Sequence, residues 1–393
     1  MSKLLLTTAS LLVFSPVSAA FAVGSTTFLS QTGTQLADID QTAANFAQVG
    51  TALTRFTQDN GLGAGHNTIH VVQSNADAGS GNNTVNGEQS GSTNLANIYQ
   101  AGNAGKVIIN QNGDNNGNQI GFTHTIDQKV TADTNTAELS TTGNDNDFSI
   151  SQEGGVGNTI TVQQNGNRNT VNTTQVGDNL GMTLTQNGPS DLNKVSANQN
   201  GAQHVLTVTQ DGGGAHTVNS NQSGIHNSAT VVQHGAGQLA INTQSAGGTD
   251  TLGNTATFTQ GGNGNIASNT QSGFGGTAAF TQSGNNNEAT LTNQIGNGNI
   301  ALLVQSDSHN AVTLIQSGNV NNASSNQSGG YQLVELSQYG SNNFIVGMQS
   351  GGGNAAALGN RAIVTQGRVA MTSSNNVASY TQSGSGHSLV IRQ

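Results

Sequence analysis
The chain has no cysteine and no tryptophan, two prolines, and only 7% charged and 4% aromatic residues among its 393. Without cysteine there is no disulfide framework and no thiolate chemistry. An ordinary soluble domain is roughly 25% charged, so this is not the composition of a string of conventional globular domains. Low charge equally argues against disorder of the polyelectrolyte type. The net charge is −10, from 9 basic and 19 acidic residues, which withholds the basic patch that nucleic-acid binding requires. The prolines are Pro16 and Pro189, and neither interrupts a candidate strand, as a hydrogen-bonded ladder demands.

What is abundant is glycine, 54 residues, together with Asn, Gln, Ser and Thr. Such a chain is either low-complexity disorder or a repeat that uses these residues structurally. Spacing decides for the repeat. The stretch Asn254 to Asn265 reads N-T-A-T-F-T-Q-G-G-N-G-N, and the phrase begins again at Asn265 as N-I-A-S-N-T-Q-S-G. Alternate residues of a strand share a face, so Asn254, Ala256, Phe258 and Gln260 point one way and Thr255, Thr257 and Thr259 the other. Gly262 follows where the chain can turn at positive φ.

The phrase recurs about every 11 to 13 residues, in about 30 units, with its most regular part at 152–349. One unit places Thr141 where the Gln belongs. Longer gaps follow Gln41, Gln58, Gln73, Gln111, Gln244, Gln349 and Gln366. They read as enlarged turns, because a solenoid accepts insertions at corners rather than inside stacked strands.

A second period overlies the first. Two places before the Gln, bulky residues (Leu184, Val208, Val231, Phe258, Phe280, Leu303) alternate with small ones (Ala197, Ser220, Asn242, Asn269). The true repeat is therefore about 22 residues, strand–turn–strand–turn, with large facing small across a thin core. The alternation slips near Gln316 to Gln327. An apolar period of 2 in weak helix formers excludes helix. The expected fold is all-β: a β-solenoid of about 15 rungs.

Stacking assigns roles to the polar residues. The inward ladder is expected at Gln186, Gln199, Gln210, Gln222, Gln233, Gln260, Gln271, Gln282, Gln305 and Gln316. Asn193, Asn227, Asn254 and Asn265 should join it. Each amide would hydrogen-bond to its equivalents above and below, as in cross-β stacks. Turns are expected at Gly188, Gly201, Gly212, Gly224, Gly235, Gly262, Gly273, Gly284 and Gly318. The closing S-L-V-I-R-Q keeps the phrase, so the end rungs are expected to expose strand edges that pair with further copies into a head-to-tail filament.

The start of the chain reads as a secretory signal over 1–22. Lys3 precedes an apolar run from Leu4 to Phe14, and Ala20-Phe21-Ala22 forms a cleavage pattern. That run is too short to span a bilayer, and no later segment suits a membrane helix. The repeat region is then 23–393, secreted and extracellular.

The phrases N-L-A-N-I-Y-Q-A-G at Asn94 to Gly102 and N-S-A-T-V-V-Q-H-G at Asn227 to Gly235 resemble curlin repeats, the units of bacterial curli subunits. The resemblance implies a structural subunit that leaves through a curli export pore. It would assemble on a surface nucleator into cell-surface amyloid fibres of the biofilm matrix, serving adhesion. This chain has many more repeats than such a subunit, and Asn mostly stands for the family's leading Ser.

No catalytic constellation stands out, and an enzyme is not expected, nor is a cofactor. The 9 His are scattered. His204 and His216 take the inward Asn position, and His234 falls in a turn. Asp38, Asp40, Asp145 and Asp147 read as gatekeeper charges that slow aggregation. Outward pairs Thr183/Thr185, Thr207/Thr209, Thr257/Thr259 and Thr290/Thr292 support the alternative of a monomeric ice-binding protein or surface adhesin.

Overall fold
The computed structural model describes residues 26–27, 29–32, 35–43, 48–49, 56–59, 67–74, 82–117, 125–129, 133–188, 192–246, 252–351, 359–367 and 373–393. The expected signal at 1–22 and Pro189 lie outside the described residues. Among the described residues every regular element is a β-strand and there is no helix. The chain divides into two compact units, Met1–Ala202 and Gln203–Gln393.

Both units are β-solenoids of the same construction. Successive strands alternate between two sheets, and each strand pairs in parallel with the strand about one repeat further on. In the first unit Thr159–Asn165 pairs with Gly181–Asn187, and Thr170–Asp178 with Lys194–Ala202. In the second, Ser228–Ala236 pairs with Thr255–Asn263 and that strand with Thr277–Gln282, bringing Gln233, Gln260 and Gln282 into one row. The strands of the two units together make about 13 turns, against about 15 expected. The phrases near the N-terminus are the loosest. There the looser phrases yield broken strands, Thr26–Thr27 with Leu29–Thr32, and Gln48–Val49 with Phe56–Asp59.

The period-2 pattern explains the strands. Along Thr255–Asn263, Ala256, Phe258 and Gln260 are buried while the Thr residues between them face outward. Burying a Val, Leu or Phe side chain contributes about 1.5–3 kcal/mol, and the inward set repeats in every rung. The longer gaps fall between strands; the one after Gln244, for example, separates Leu239–Ala246 from Thr255–Asn263. Extra residues inside Leu36–Ala43 and Glu288–Ile295 break that rule. In Glu288–Ile295 the register shifts between Leu291 and Asn293. Thr292 is the extra residue of a β-bulge, which restores the alternation so that Gln294 still faces inward. Thr290 is half-buried and Thr292 exposed, so both face outward as expected, but Thr292 has no register partner in the next strand.

The slip in the bulky–small alternation also has a physical cause. In the second unit, one sheet carries Phe258, Phe280 and Leu303 inward, then Ser325 and Gly347. The facing sheet carries Ser220, Asn242 and Asn269, then Leu291, Leu314 and Leu336. Bulk crosses from one sheet to the other, so bulky side chains go on filling the core past the slip. The Phe258 and Phe280 rings stack at 4.9 Å between centroids. At the crossover's far end Tyr380 takes the space over Gly347, whose added Cβ would lie 2.1 Å from the Tyr380 Cζ. Burial pushes the Tyr380 phenol up to about 12.

The turns use two left-handed residues. The first, two places after the Gln, is nearly always glycine; Gly262 has φ 90°. A Cβ there would lie 2.0 Å from the carbonyl oxygen of Gly284 in the next rung. The second, two places later, carries Arg168, His226, Val320 or Tyr331 at φ 54–60°; Arg168 and Val320 are exposed there, His226 and Tyr331 half-buried. Gly262→Ala is expected to lower stability by more than about 1–3 kcal/mol, from strain and the carbonyl collision together. Gly237→Ala, with nothing within 4 Å of the added Cβ, is expected to cost about 1 kcal/mol. Denaturant midpoints compare the two; equal losses would mean that inter-rung crowding does not select the glycine.

Candidate functional site
The chemistry of this chain lies in its amide columns. In the second unit Gln210 donates through Nε2 to Gln233 Oε1 at 2.9 Å, Gln233 to Gln260 at 2.8 Å, and Gln260 to Gln282 at 2.9 Å. Gln282 reaches Gln305 at 2.8 Å, and Gln305 reaches Gln327 at 2.9 Å. The other sheet repeats this through Gln222, Gln244, Gln271, Gln294, Gln316 and Gln338, at 2.8–3.0 Å. In the first unit Gln186 accepts from Gln164 at 3.1 Å and Gln199 from Gln175 at 3.0 Å. The expected Gln positions are thus brought into columns, each fully buried.

The second amide hydrogen has a use the sequence reading missed. It crosses to the opposite sheet and meets the backbone carbonyl that opens the preceding strand. Gln282 bonds to Ile266 O, Gln305 to Glu288 O and Gln316 to Ile300 O, each at 2.9 Å. Each Gln therefore ties rung to rung and sheet to sheet. A buried amide so satisfied avoids a desolvation cost of about 1–3 kcal/mol.

In the second unit the Asn column works differently from the amide-to-amide ladder expected. Asn265 Oδ1 accepts the backbone N–H of Asn287 at 2.9 Å, and its Nδ2 donates to Gly261 O at 2.7 Å and Gly284 O at 3.0 Å. Asn227 likewise accepts from Asn254 N at 3.0 Å and donates to Ser223 O at 2.7 Å. Asn254 accepts from Gly276 N at 3.0 Å and donates to Gly273 O at 3.1 Å. Asn193 is buried, and its backbone N–H donates to Asn169 Oδ1 at 3.3 Å. These side chains clamp turns to turns, and the expected amide-to-amide step is made in the first unit, where Asn116 donates to Asn94 Oδ1 at 3.1 Å and Asn146 to Asn116 Oδ1 at 3.0 Å. A true second side-chain ladder runs elsewhere: Asn269 donates to Asn242 at 2.9 Å, and Asn242 to Ser220 at 3.2 Å.

The nine turn glycines all sit at positive φ, from 89° at Gly224 to 147° at Gly188. Gly201, Gly212, Gly235, Gly273, Gly284 and Gly318 lie between these limits. Several, Gly201 and Gly235 among them, fall at the ends of strands rather than beyond them.

Other expectations on polar residues divide. His204 and His216 occupy the buried Asn column as expected. His234 does not lie in a turn; it is exposed at the end of Ser228–Ala236 and pairs with Asp211. Asp38 faces His70 at 3.0 Å on the surface, whereas Asp147 is buried and is no surface gatekeeper. The other surface ion pairs, such as Lys106–Glu138 at 3.8 Å and Arg361–Glu335 at 3.3 Å, also link neighbouring rungs. Exposed pairs of this kind contribute about 0–1 kcal/mol. Among the described residues no group of three or more His, Asp or Glu is arranged for a metal ion.

The strand edges complete the picture. Among the described residues Val377–Ser383 pairs only with Phe344–Ser350, and Ser388–Arg392 only with Arg361–Gln366. Each leaves one edge of backbone N–H and C=O groups without a strand partner. Compared with protein-family models and with curated proteins, the sequence matches none.

Among the described residues the Gln column has a fault at Thr141. At Thr141 the amide is missing, and both Thr141 Oγ1 and the following Gln164 Oε1 are buried without a hydrogen-bond partner. Thr141→Gln is expected to raise stability by about 1 kcal/mol, the net worth of a hydrogen bond. Thr141→Val is expected to be nearly neutral, since its hydroxyl makes no bond. Denaturant unfolding distinguishes them, and no gain from Gln would mean that the column is not the stabilising element.

Proposed function
We propose that this chain is a secreted structural subunit that stacks end to end into extracellular fibres of the curlin kind, serving a biofilm matrix and surface adhesion. The observation that carries the reading is the in-register amide column, continued up to strands that pair on one side. Gln382, in the last strand of its sheet, accepts from Gln349 at 2.6 Å and donates to Arg361 O at 3.2 Å. A further copy's Gln would continue the column by accepting its second amide hydrogen. An edge of this kind joined to its counterpart is a heterologous contact that propagates without closing.

In this reading the partners are further copies of the chain. An export pore and a surface nucleator follow from the curlin resemblance of N-S-A-T-V-V-Q-H-G and its companions. The chain acts by assembling, not by catalysis.

The alternative of a monomeric ice-binding protein rests on the outward threonines. Thr255 stacks on Thr277 and Thr259 on Thr281, but the next strand puts Ile300, Leu302 and Val304 in those rows. The Thr array is thus shallow, which favours the filament. A monomeric adhesin would need its strand edges covered.

Purified chain from Val23 onward, diluted from denaturant, is expected to give thin fibres after a lag that seeds shorten. Thioflavin fluorescence and electron microscopy follow the process. Gln210→Ala and Gln233→Ala are expected to slow assembly severalfold, and Thr257→Ser to leave it unchanged. A stable strand-rich monomer would sink the filament; equal rates in all three variants would sink the role of the column.

A further inference from the structure
Four of the chain's 9 His lie between residues 204 and 234: His204, His216, His226 and His234. Residues 203–246 contain no Lys, Arg or Glu, and Asp211 is their one carboxylate. At neutral pH the stretch is nearly uncharged. In acid it gathers positive charge within adjacent rungs.

Two of these histidines are built into the turn clamp. The column normally needs one side-chain acceptor for the next rung's N–H and one donor for turn carbonyls. Neutral imidazole offers one of each. His216 Nε2 lies 3.0 Å from Asp211 O and donates to it, while Nδ1 accepts the backbone N–H of Gln238 at 3.4 Å. His204 Nδ1 accepts the N–H of Asn227 at 3.1 Å. Both side chains are fully buried. The turn before His216 is longer by a residue, with the register shifting between Gly212 and Gly214.

We infer that His216, seconded by His204, is an acid-sensitive latch that holds these turns closed when neutral and releases them when protonated. Imidazolium carries hydrogen on both nitrogens, so Nδ1 would present N–H to the N–H of Gln238. The acceptor is lost and two buried donors face each other. Asp211 and His234 are the titratable groups that act on His216. They pair with each other at the surface, and at the clamp it is the Asp211 backbone carbonyl that accepts from His216.

The direction of the linkage follows. Burial lowers the His216 pKa below its ordinary value of 6.5. The unfolded chain therefore binds the proton more readily. The stability this residue contributes is full above about pH 6.5 and is lost as pH falls through the lower folded value.

Hydrogen exchange on the full chain tests this at the amide of Gln238, with rates corrected for intrinsic pH dependence. Between pH 7.5 and 5, above the carboxylate range, protection is expected to fall severalfold, in the direction of the lowered His216 pKa. His216→Asn restores the residue type used elsewhere in the column, so it is expected to fold and to keep its protection. His234→Asn is expected to retain the wild-type fall. Constant protection in the wild type, or the same fall in His216→Asn, would overturn the latch.

Discussion
One constraint organises this molecule: burying a side-chain amide costs free energy unless its hydrogens and its oxygen find partners. The Gln column meets that condition through register. Gln260 sits over Gln282 and Gln282 over Gln305 because the chain returns after about one repeat. A slip of a single residue would turn every amide to the outer face. The buried amides therefore specify register more sharply than the aliphatic residues do, since Ala, Val, Leu and Phe exchange places from rung to rung without cost in alignment. The crossing bond from Nε2 to the opposite sheet adds a second condition. It fixes how the two sheets face each other, as with Gln316 and Ile300.

The turns answer the same demand in backbone terms. Parallel stacking brings corner over corner, so a corner's carbonyl points into the next corner. Glycine at Gly262 or Gly318 is required by that crowding as much as by its φ. The Asn clamp then occupies the remaining turn donors and acceptors. Where Gln238 replaces Asn, the donor half of the clamp is kept, to His234 O at 2.7 Å and Gly262 O at 2.9 Å, while its Oε1 is left without a hydrogen-bond partner; neutral His216 supplies both donor and acceptor with an imidazole. Charge is scarce because stacking would set like charges over one another about 4.8 Å apart. The ion pairs present are opposite charges in adjacent rungs, such as Lys106 and Glu138.

Much of this was legible in the residues. The period of 2, the 22-residue repeat, the inward Gln and the positive-φ glycines all follow from spacing, because each is a property of a residue type at a fixed position. Three things were not. The Asn column's attachment to backbone depends on side-chain placement, which a pattern of letters does not encode. The bulge at Thr292 looks like one more outward threonine until its neighbours Leu291 and Gln294 are seen to need an odd step between them. The second left-handed residue of each turn left no signature, because the position admits Arg168, Val320 and Tyr331 alike. The apparent phase slip was visible but unexplained, since it concerns the sum of two facing residues and neither alone.

The faults in the repeat then acquire meaning. In a solenoid each rung contacts only its neighbours, so stability is close to a sum of local terms. A defect such as Thr141 or a histidine in the clamp lowers the local term without propagating along the stack. Opening free energies differ across a structure, and weak places open first. A perfectly uniform column would open only at its ends, where fraying costs least. Placing histidines at His204 and His216 gives this chain an internal place whose strength follows pH, while the Gln columns on either side, which have no titratable atom, hold their register.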